Sequence, residues 1–333
     1  SCVAGGIILG SCATVRQVGE ILVVPAVIFV IAAAGGWRQA IRKSIAVCIA
    51  FAVPILAYCT VSYAVTGHFW LAHAGVTTTY GRMAAAADCA ALRLTQQEQP
   101  LCPTPSQRAL GPDGLEHSPQ SPLRPYYASL QHANASRLVS GFDTAVLTQQ
   151  PLRVLAGIAG DAARLFAVTR STSPGDTPVS RWQFQAYYPA FAPHATRAEI
   201  RGFIAQFGGG QPAVSRPLAT VLRSYQLDGG YTPGPLLLLA TVAGMTGSAA
   251  VLRRDDGAGR RQLAAACLLF TATAAAVLLV SDAFEFSWRY QLPALVLLPA
   301  AGALGLSVLG RLARRRIGGS AAGPAAAPDS AGP

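Results

Sequence analysis

This chain reads as an all-α polytopic membrane protein with five complete transmembrane helices, one partial helix, and a mostly helical or irregular extracytoplasmic domain. Three features carry that reading. Only 12% of the 333 residues are charged and 52% are hydrophobic, where an ordinary soluble domain carries about a quarter charged residues. Five apolar runs, at 21–37, 45–65, 235–252, 262–281 and 291–310, are long enough to cross a hydrocarbon core of ~30 Å. The basic residues behind the net charge of +11 gather beside those runs.

From the N-terminus, residues 1–13 are apolar but too short to span, and hold Gly6-x-x-x-Gly10, a spacing at which membrane helices approach closely. They read as the end of a helix that begins upstream, so the chain is expected to be the C-terminal part of a longer protein. Arg16 closes this segment, and Glu20 follows four residues later. Helices at 21–37 and 45–65 complete a first membrane unit, 1–65. Residues 66–233 hold no spanning run and form the outer domain. Three helices at 235–252, 262–281 and 291–310 make the second membrane unit, 234–316. Residues 317–333 are small and Pro-rich and predict a disordered cytoplasmic tail.

Charge orients this scheme. Arg38, Arg42 and Lys43 follow the first complete run, and Arg253, Arg254, Arg260 and Arg261 separate the third from the fourth. Arg311, Arg314, Arg315 and Arg316 follow the fifth. Positive charge beside membrane spans marks the cytoplasmic face. Alternating the runs places all three clusters there, with residues 66–233 and the link 282–290 outside. The location is therefore the cell membrane, multi-pass. The same distribution excludes nucleic acid as a partner, because the charge flanks spans instead of forming one continuous patch.

Within the outer domain, Cys89 and Cys102 are the only cysteines in polar sequence, and an oxidising compartment favours their pairing. Residues 103–125 predict an irregular loop. Beyond it, Leu155, Ile158, Ala162, Leu165 and Phe166 recur at helical spacing, with Asp161 and Arg164 off that stripe. Neither a phosphate loop nor H-E-x-x-H nor G-x-S-x-G occurs. No metal and no cofactor are expected.

The ionisable residues at the outer ends of the helices are the functional candidates. Arg16 and Glu20 lie at one such end, and Asp282, Glu285, Arg289 and Tyr290 at another, in SDAFEFSWRYQLP. One reading is interfacial anchoring, with Trp288 and Tyr290 in an aromatic belt. The other is a grip on an anionic headgroup, for which guanidinium groups offer paired donors.

A resemblance bears on that choice. VAGGIILGSCATVRQVGEILVVPAVIFVIAAA resembles the paired-helix segment of C-type membrane glycosyltransferases, the dolichyl-phosphate-mannose-protein mannosyltransferase-like superfamily. SWRYQLPALVLLPAAGAL resembles their last spanning segment, with an Arg-Tyr-x-x-Pro signature at Arg289, Tyr290 and Pro293. The resemblance implies sugar transfer from a polyprenyl-phosphate carrier to an extracytoplasmic acceptor. It implies carrier-phosphate contacts from Arg16 and Arg289, with Tyr290 orienting the site. The general base of such enzymes lies in a first outer loop, expected upstream of residue 1, so the catalytic residue is not assigned. Glu20, Asp282 and Glu285 are left as possible members of a polar site. A non-catalytic membrane protein whose outer domain binds or scaffolds a cell-envelope partner is the alternative.

Overall fold

The computed structural model describes residues 1–71, 75–130, 133–169, 171, 173–176, 183–184, 186, 196–208, 213–227, 233–249, 258–284, 286–288 and 290–320. Among these residues every regular element is helical. The first membrane unit contains α1 (Cys2–Val15), α2 (Val23–Ala33) and α3 (Trp37–Thr66). The region 66–233, expected from the sequence to be the outer domain and called so below, contains α4 (Gly75–Ala86), α5 (Pro105–Arg108), α6 (Gly111–His117), α7 (Ala133–Gln149), α8 (Pro151–Arg164), α9 (Arg197–Gln206) and α10 (Arg216–Leu227). The second membrane unit contains α11 (Gly234–Ala249), α12 (Ala258–Phe284) and α13 (Leu292–Ser320).

Three helical stretches, Trp37–Thr66, Arg261–Phe284 and Leu292–Arg311, are long and apolar enough to cross a membrane. Among the described residues the expected five complete spans and one partial are therefore corrected to three. The run at 21–37 is entered through a 3-10 turn (Gln17–Leu22) and ends before Gly35 and Gly36, leaving 11 α-helical residues. At 1.5 Å per residue that is roughly 16 Å, half of a bilayer core. The run at 235–252 yields 16 helical residues, Gly234–Ala249, and 250–252 lie outside the described residues. The run at 45–65 is longer than expected, because Gly36 is extended (φ −172°) and α3 starts at Trp37. α13 continues to Ser320, past the expected start of the tail at 317, and 321–333 lie outside the described residues.

The helix surfaces fit lipid. Ile49, Val61, Leu239, Val296 and Leu306 are between 62% and 72% exposed, a density of bare aliphatic surface that water does not tolerate on a monomer. Three apolar helices with such surfaces make this a membrane protein.

Lipid tails are as apolar as leucine, so these helices associate by close packing. On α1, a Cβ added at Gly6 would meet the Val47 carbonyl oxygen at 2.6 Å, and one at Gly10 would strike Phe51 and Pro54 of α3. On α13, a Cβ at Gly302 would lie 2.8 Å from Ala240 Cα, and one at Gly305 would strike the Ala243 carbonyl of α11. Gly247 of α11 faces Gly305 directly. Two glycine seams thus join α1 to α3 and α11 to α13.

α12 joins the two pairs. It touches α11 and α13, and also α2 and the 17–22 turn. Its buried positions Ala264, Cys267, Thr271, Ala274, Leu278 and Asp282 fall three or four residues apart, one face of a helix. Between the pairs lies an apolar cleft of about 630 Å³, lined by residues such as Ile8, Leu22, Phe29, Leu269, Phe270 and Leu297. Arg261 donates from Nε to the Ala32 carbonyl (3.0 Å) and from Nη2 to that of Ala34 (2.7 Å). Val308 packs with Ala264 and Leu263. The basic residues of α3, α12 and α13 therefore share one end of the bundle.

The outer domain caps the other end. Tyr80, Leu101, Leu115, Leu123, Val139, Phe142 and Val146 form its fully buried core. Cys89 and Cys102 are joined by a disulfide, with Cα atoms 6.0 Å apart. Closing a loop of this length stabilises a domain by about 3 kcal/mol in the chain-entropy account. Residues 103–125 are more ordered than expected. Thr104 and Gln107 form a capping box on α5, and Tyr80 Oη donates to the Leu101 carbonyl at 2.6 Å. α8 corrects the periodic reading, since Leu155 is 59% exposed while Asp161 is 5% exposed.

Gly305 and Gly160 make opposite predictions. Gly305→Ala overpacks the α11–α13 seam and should cost about 1–3 kcal/mol. Gly160 in α8 has nothing within 4 Å of an added Cβ, so Gly160→Ala should stabilise by about 0.5–1 kcal/mol through helix propensity. Thermal unfolding in detergent reads both, and equal shifts would contradict the seam.

A second prediction concerns Asp143, buried in α7 with Oδ1 unpartnered among the described residues. Burial pushes its carboxyl up from 3.8 to about 8. Between those values the native state keeps a proton that the unfolded chain releases, so stability falls as pH rises. Thermal midpoints should decline from pH 6 to 8, and Asp143→Asn should flatten that decline. A variant with the wild-type slope would place the titration elsewhere.

Candidate functional site

The link between α12 and α13 is folded into the protein. Phe286 is fully buried and Trp288 is 4% exposed, meeting edge to face with centroids 5.4 Å apart. Trp288 Nε1 donates to the Ser171 carbonyl at 3.3 Å, and the Tyr290 amide donates to Ser287 at 2.9 Å. Both rings pack with Ala162 of α8 and Leu165 just after it, Leu237 of α11, and Leu278 and Leu298 of the two long helices. Trp288 is therefore a core residue joining the outer domain to the membrane unit, and no member of an interfacial belt.

A charged layer lies on this apolar one. Asp161 pairs with Arg82 of α4, which is 3% exposed, and with Arg164 Nε at 3.3 Å. Arg164 also reaches Asp176 at 3.6 Å, donates to Ser173 Oγ at 3.3 Å, and sits 4.7 Å over the Phe286 ring. The Ser173 amide donates to Asp176 Oδ2 at 2.9 Å. Burial pushes the Asp176 carboxyl up to about 6, against the lowering pull of that amide and of Arg164. Below it, Asp282 is fully buried and accepts from Gln291 Nε2 at 2.9 Å. Arg82 Nε, Asp176 Oδ1, Asp282 Oδ2 and Gln291 Oε1 have no partner among the described residues.

Of the sequence-predicted residues, two meet across the chain. α1 ends at Arg16, whose backbone turns extended (φ −149°, ψ 125°) and whose guanidinium lies 4.9 Å over the ring of the half-buried Tyr290. Arg16 is exposed and makes no ion pair among the described residues. Glu20 is exposed on the 3-10 turn. Asp282 is enclosed and held by Gln291, which suits a structural role. Glu285 and Arg289 lie outside the described residues. Cys89 and Cys102 form their disulfide in the outer-domain core, within the α4–α7 region.

The sequence reading missed Arg82, Arg164, Asp176 and Gln291 as a cluster, and assigned Asp161 to the outer face of its helix. One signal was present: Arg82 is followed by Met83 and four alanines in YGRMAAAADC, with no charge before Asp88. A cation in such a setting requires a buried counter-ion. Among the described residues no group of three or more His, Cys, Asp or Glu is placed to hold a metal.

No family model matches this chain, and comparison with curated proteins and with solved structures gives no match.

The charged layer predicts a steep hierarchy of substitutions. Asp161→Ala strips Arg82 of its counter-ion in a buried site and should cost about 3–5 kcal/mol. Arg153→Ala removes a largely exposed pair with Asp88 (3.6 Å) and should cost no more than about 1 kcal/mol. Denaturant unfolding distinguishes them, and comparable costs would refute the anchoring role of Asp161.

Proposed function

We propose that this chain is part of a membrane glycosyltransferase that takes a sugar from a polyprenyl-phosphate carrier and delivers it to an extracytoplasmic acceptor. The observation that carries this reading is the stacking of Arg16 on Tyr290, 4.9 Å apart. These residues belong to the two segments that resemble the family. They are distant in sequence, and helix packing alone would not require them to meet.

In this reading Arg16 places its planar donors against the carrier phosphate. Tyr290 fixes the guanidinium by a cation–π contact, a geometry worth about 0.5–2 kcal/mol depending on desolvation. As the bond between the sugar and the phosphate breaks, negative charge grows on the departing lipid phosphate, and a preoriented cation lowers that barrier. Arg289, next to Tyr290, is assigned the second phosphate contact. Asp282 is not offered as the general base, because its carboxylate is enclosed and bonded to Gln291. The acceptor is unassigned.

Sidedness belongs to the same proposal. The basic residues of α3, α12 and α13 share one end of the bundle, which supports placing that end in the cytoplasm. The charged layer, Arg16 and the outer domain then face outward, where the finished glycan is needed.

The test is transfer by the intact protein in its native membranes, assayed with polyprenyl-phosphate-linked hexoses and pentoses. Arg16→Gln should slow transfer by about 10–100-fold, the loss of one charged hydrogen-bonding group, with expression unchanged. Arg16→Lys should recover only part of the rate. A wild-type rate in Arg16→Gln would reduce the Arg16–Tyr290 pair to anchoring.

A further inference from the structure

At the opposite end of the bundle a second site is built from other residues. A cleft of about 600 Å³, within the range of small-molecule sites, opens where α2 turns into α3 and meets the start of α12. Its walls are Ile31, Ala34, Ile41 and Ile45, with Trp37 at the rim and Arg261 at the back. Trp37 is 75% exposed, although it is the largest apolar side chain on this turn. Ser44 Oγ in the wall is buried and has no hydrogen-bond partner among the described residues. A shallower depression continues from this cleft over Trp37, Ile41 and Ile45 to Arg38 and Arg42.

We propose that this cleft binds one anionic phospholipid, with an acyl chain along Ile31, Ile41 and Ile45 and the phosphate against Arg38 and Arg42. The two arginines stand four residues apart, on one face of α3. Both are exposed, and neither makes an ion pair among the described residues. Arg261 is held by the Ala32 and Ala34 carbonyls, so it shapes the cleft and adds positive charge without leaving its place. Trp37 sits where the spanning stretch begins, at the depth of the glycerol backbone, which suits its amphipathic ring. Charge complementarity selects the occupant. A zwitterionic lipid brings its own cation against the arginines, and a free phosphate leaves the apolar walls bare. Basic pockets between spanning helices take anionic headgroups for these reasons. The site does not depend on glycosyl transfer.

The experiment is native mass spectrometry of the intact protein extracted in mild detergent, paired with thermal shifts on adding phosphatidylglycerol, phosphatidylcholine or inorganic phosphate. One phosphatidylglycerol should stay bound through washing and raise the melting midpoint, and the other two should do neither. The double variant Arg38→Gln/Arg42→Gln, altered only at exposed positions, should weaken phosphatidylglycerol binding by about tenfold or more. Ser44→Leu, which fills the cleft and keeps every charge, should lose the retained lipid as well. The proposal is overturned if the double variant retains lipid like the wild type, if phosphatidylcholine binds equally well, or if inorganic phosphate alone gives the stabilisation.

Discussion

Asp161 is buried with Arg82 and also reached by the half-buried Arg164, and the packing of α4 on α8 within the outer domain depends on it. Arg82 brings α4 to this carboxylate, and Arg164 extends it to Asp176 and to the ring of Phe286. A buried ion pair adds little net stability, because desolvating its charges offsets their attraction. What it adds is specificity. A shift of α4 against α8 would leave charges buried and unpaired, so few alternative packings of these helices compete.

The same cluster meets the crowded link between α12 and α13 through Arg164. A plain turn would join two antiparallel helices. Here Phe286 forms the floor under Arg164, and Trp288 reaches the Ser171 carbonyl. The turn is the contact surface on which the outer domain rests. It also holds Tyr290 under Arg16, so domain docking and the geometry of the candidate site share one scaffold.

Much of this was legible in the sequence, and the misses have identifiable causes. The cysteine pair could be read because polar surroundings separate it from the five cysteines in apolar runs. Arg16 and Tyr290 stood out as candidates because charged and aromatic residues at helix ends contrast with aliphatic sequence, but their stacking on one another had no signal. The span count failed at Gly35–Gly36 and at the 17–22 turn, since hydropathy measures how apolar a run is and says nothing of where its helix stops. Asp161 failed because amphipathic periodicity sends charges outward, and only its partner at Arg82, 79 residues away in sequence, makes the inward direction possible. Gln291 had no signal, as an amide at the head of an apolar helix looks like a cap.

The glycine seams bear on how the protein moves. Where backbone lies against backbone, as at Gly247 and Gly305, there are no side chains to rearrange and absorb a gradual displacement. Such a seam holds or slips by a whole turn of ~5.4 Å. α1 with α3, and α11 with α13, therefore behave as two stiff planks. Compliance is left to the line between them, where side chains of α12 face α2 across the apolar cleft. The Arg16–Tyr290 stack bridges that line, joining the end of α1 to the link before α13.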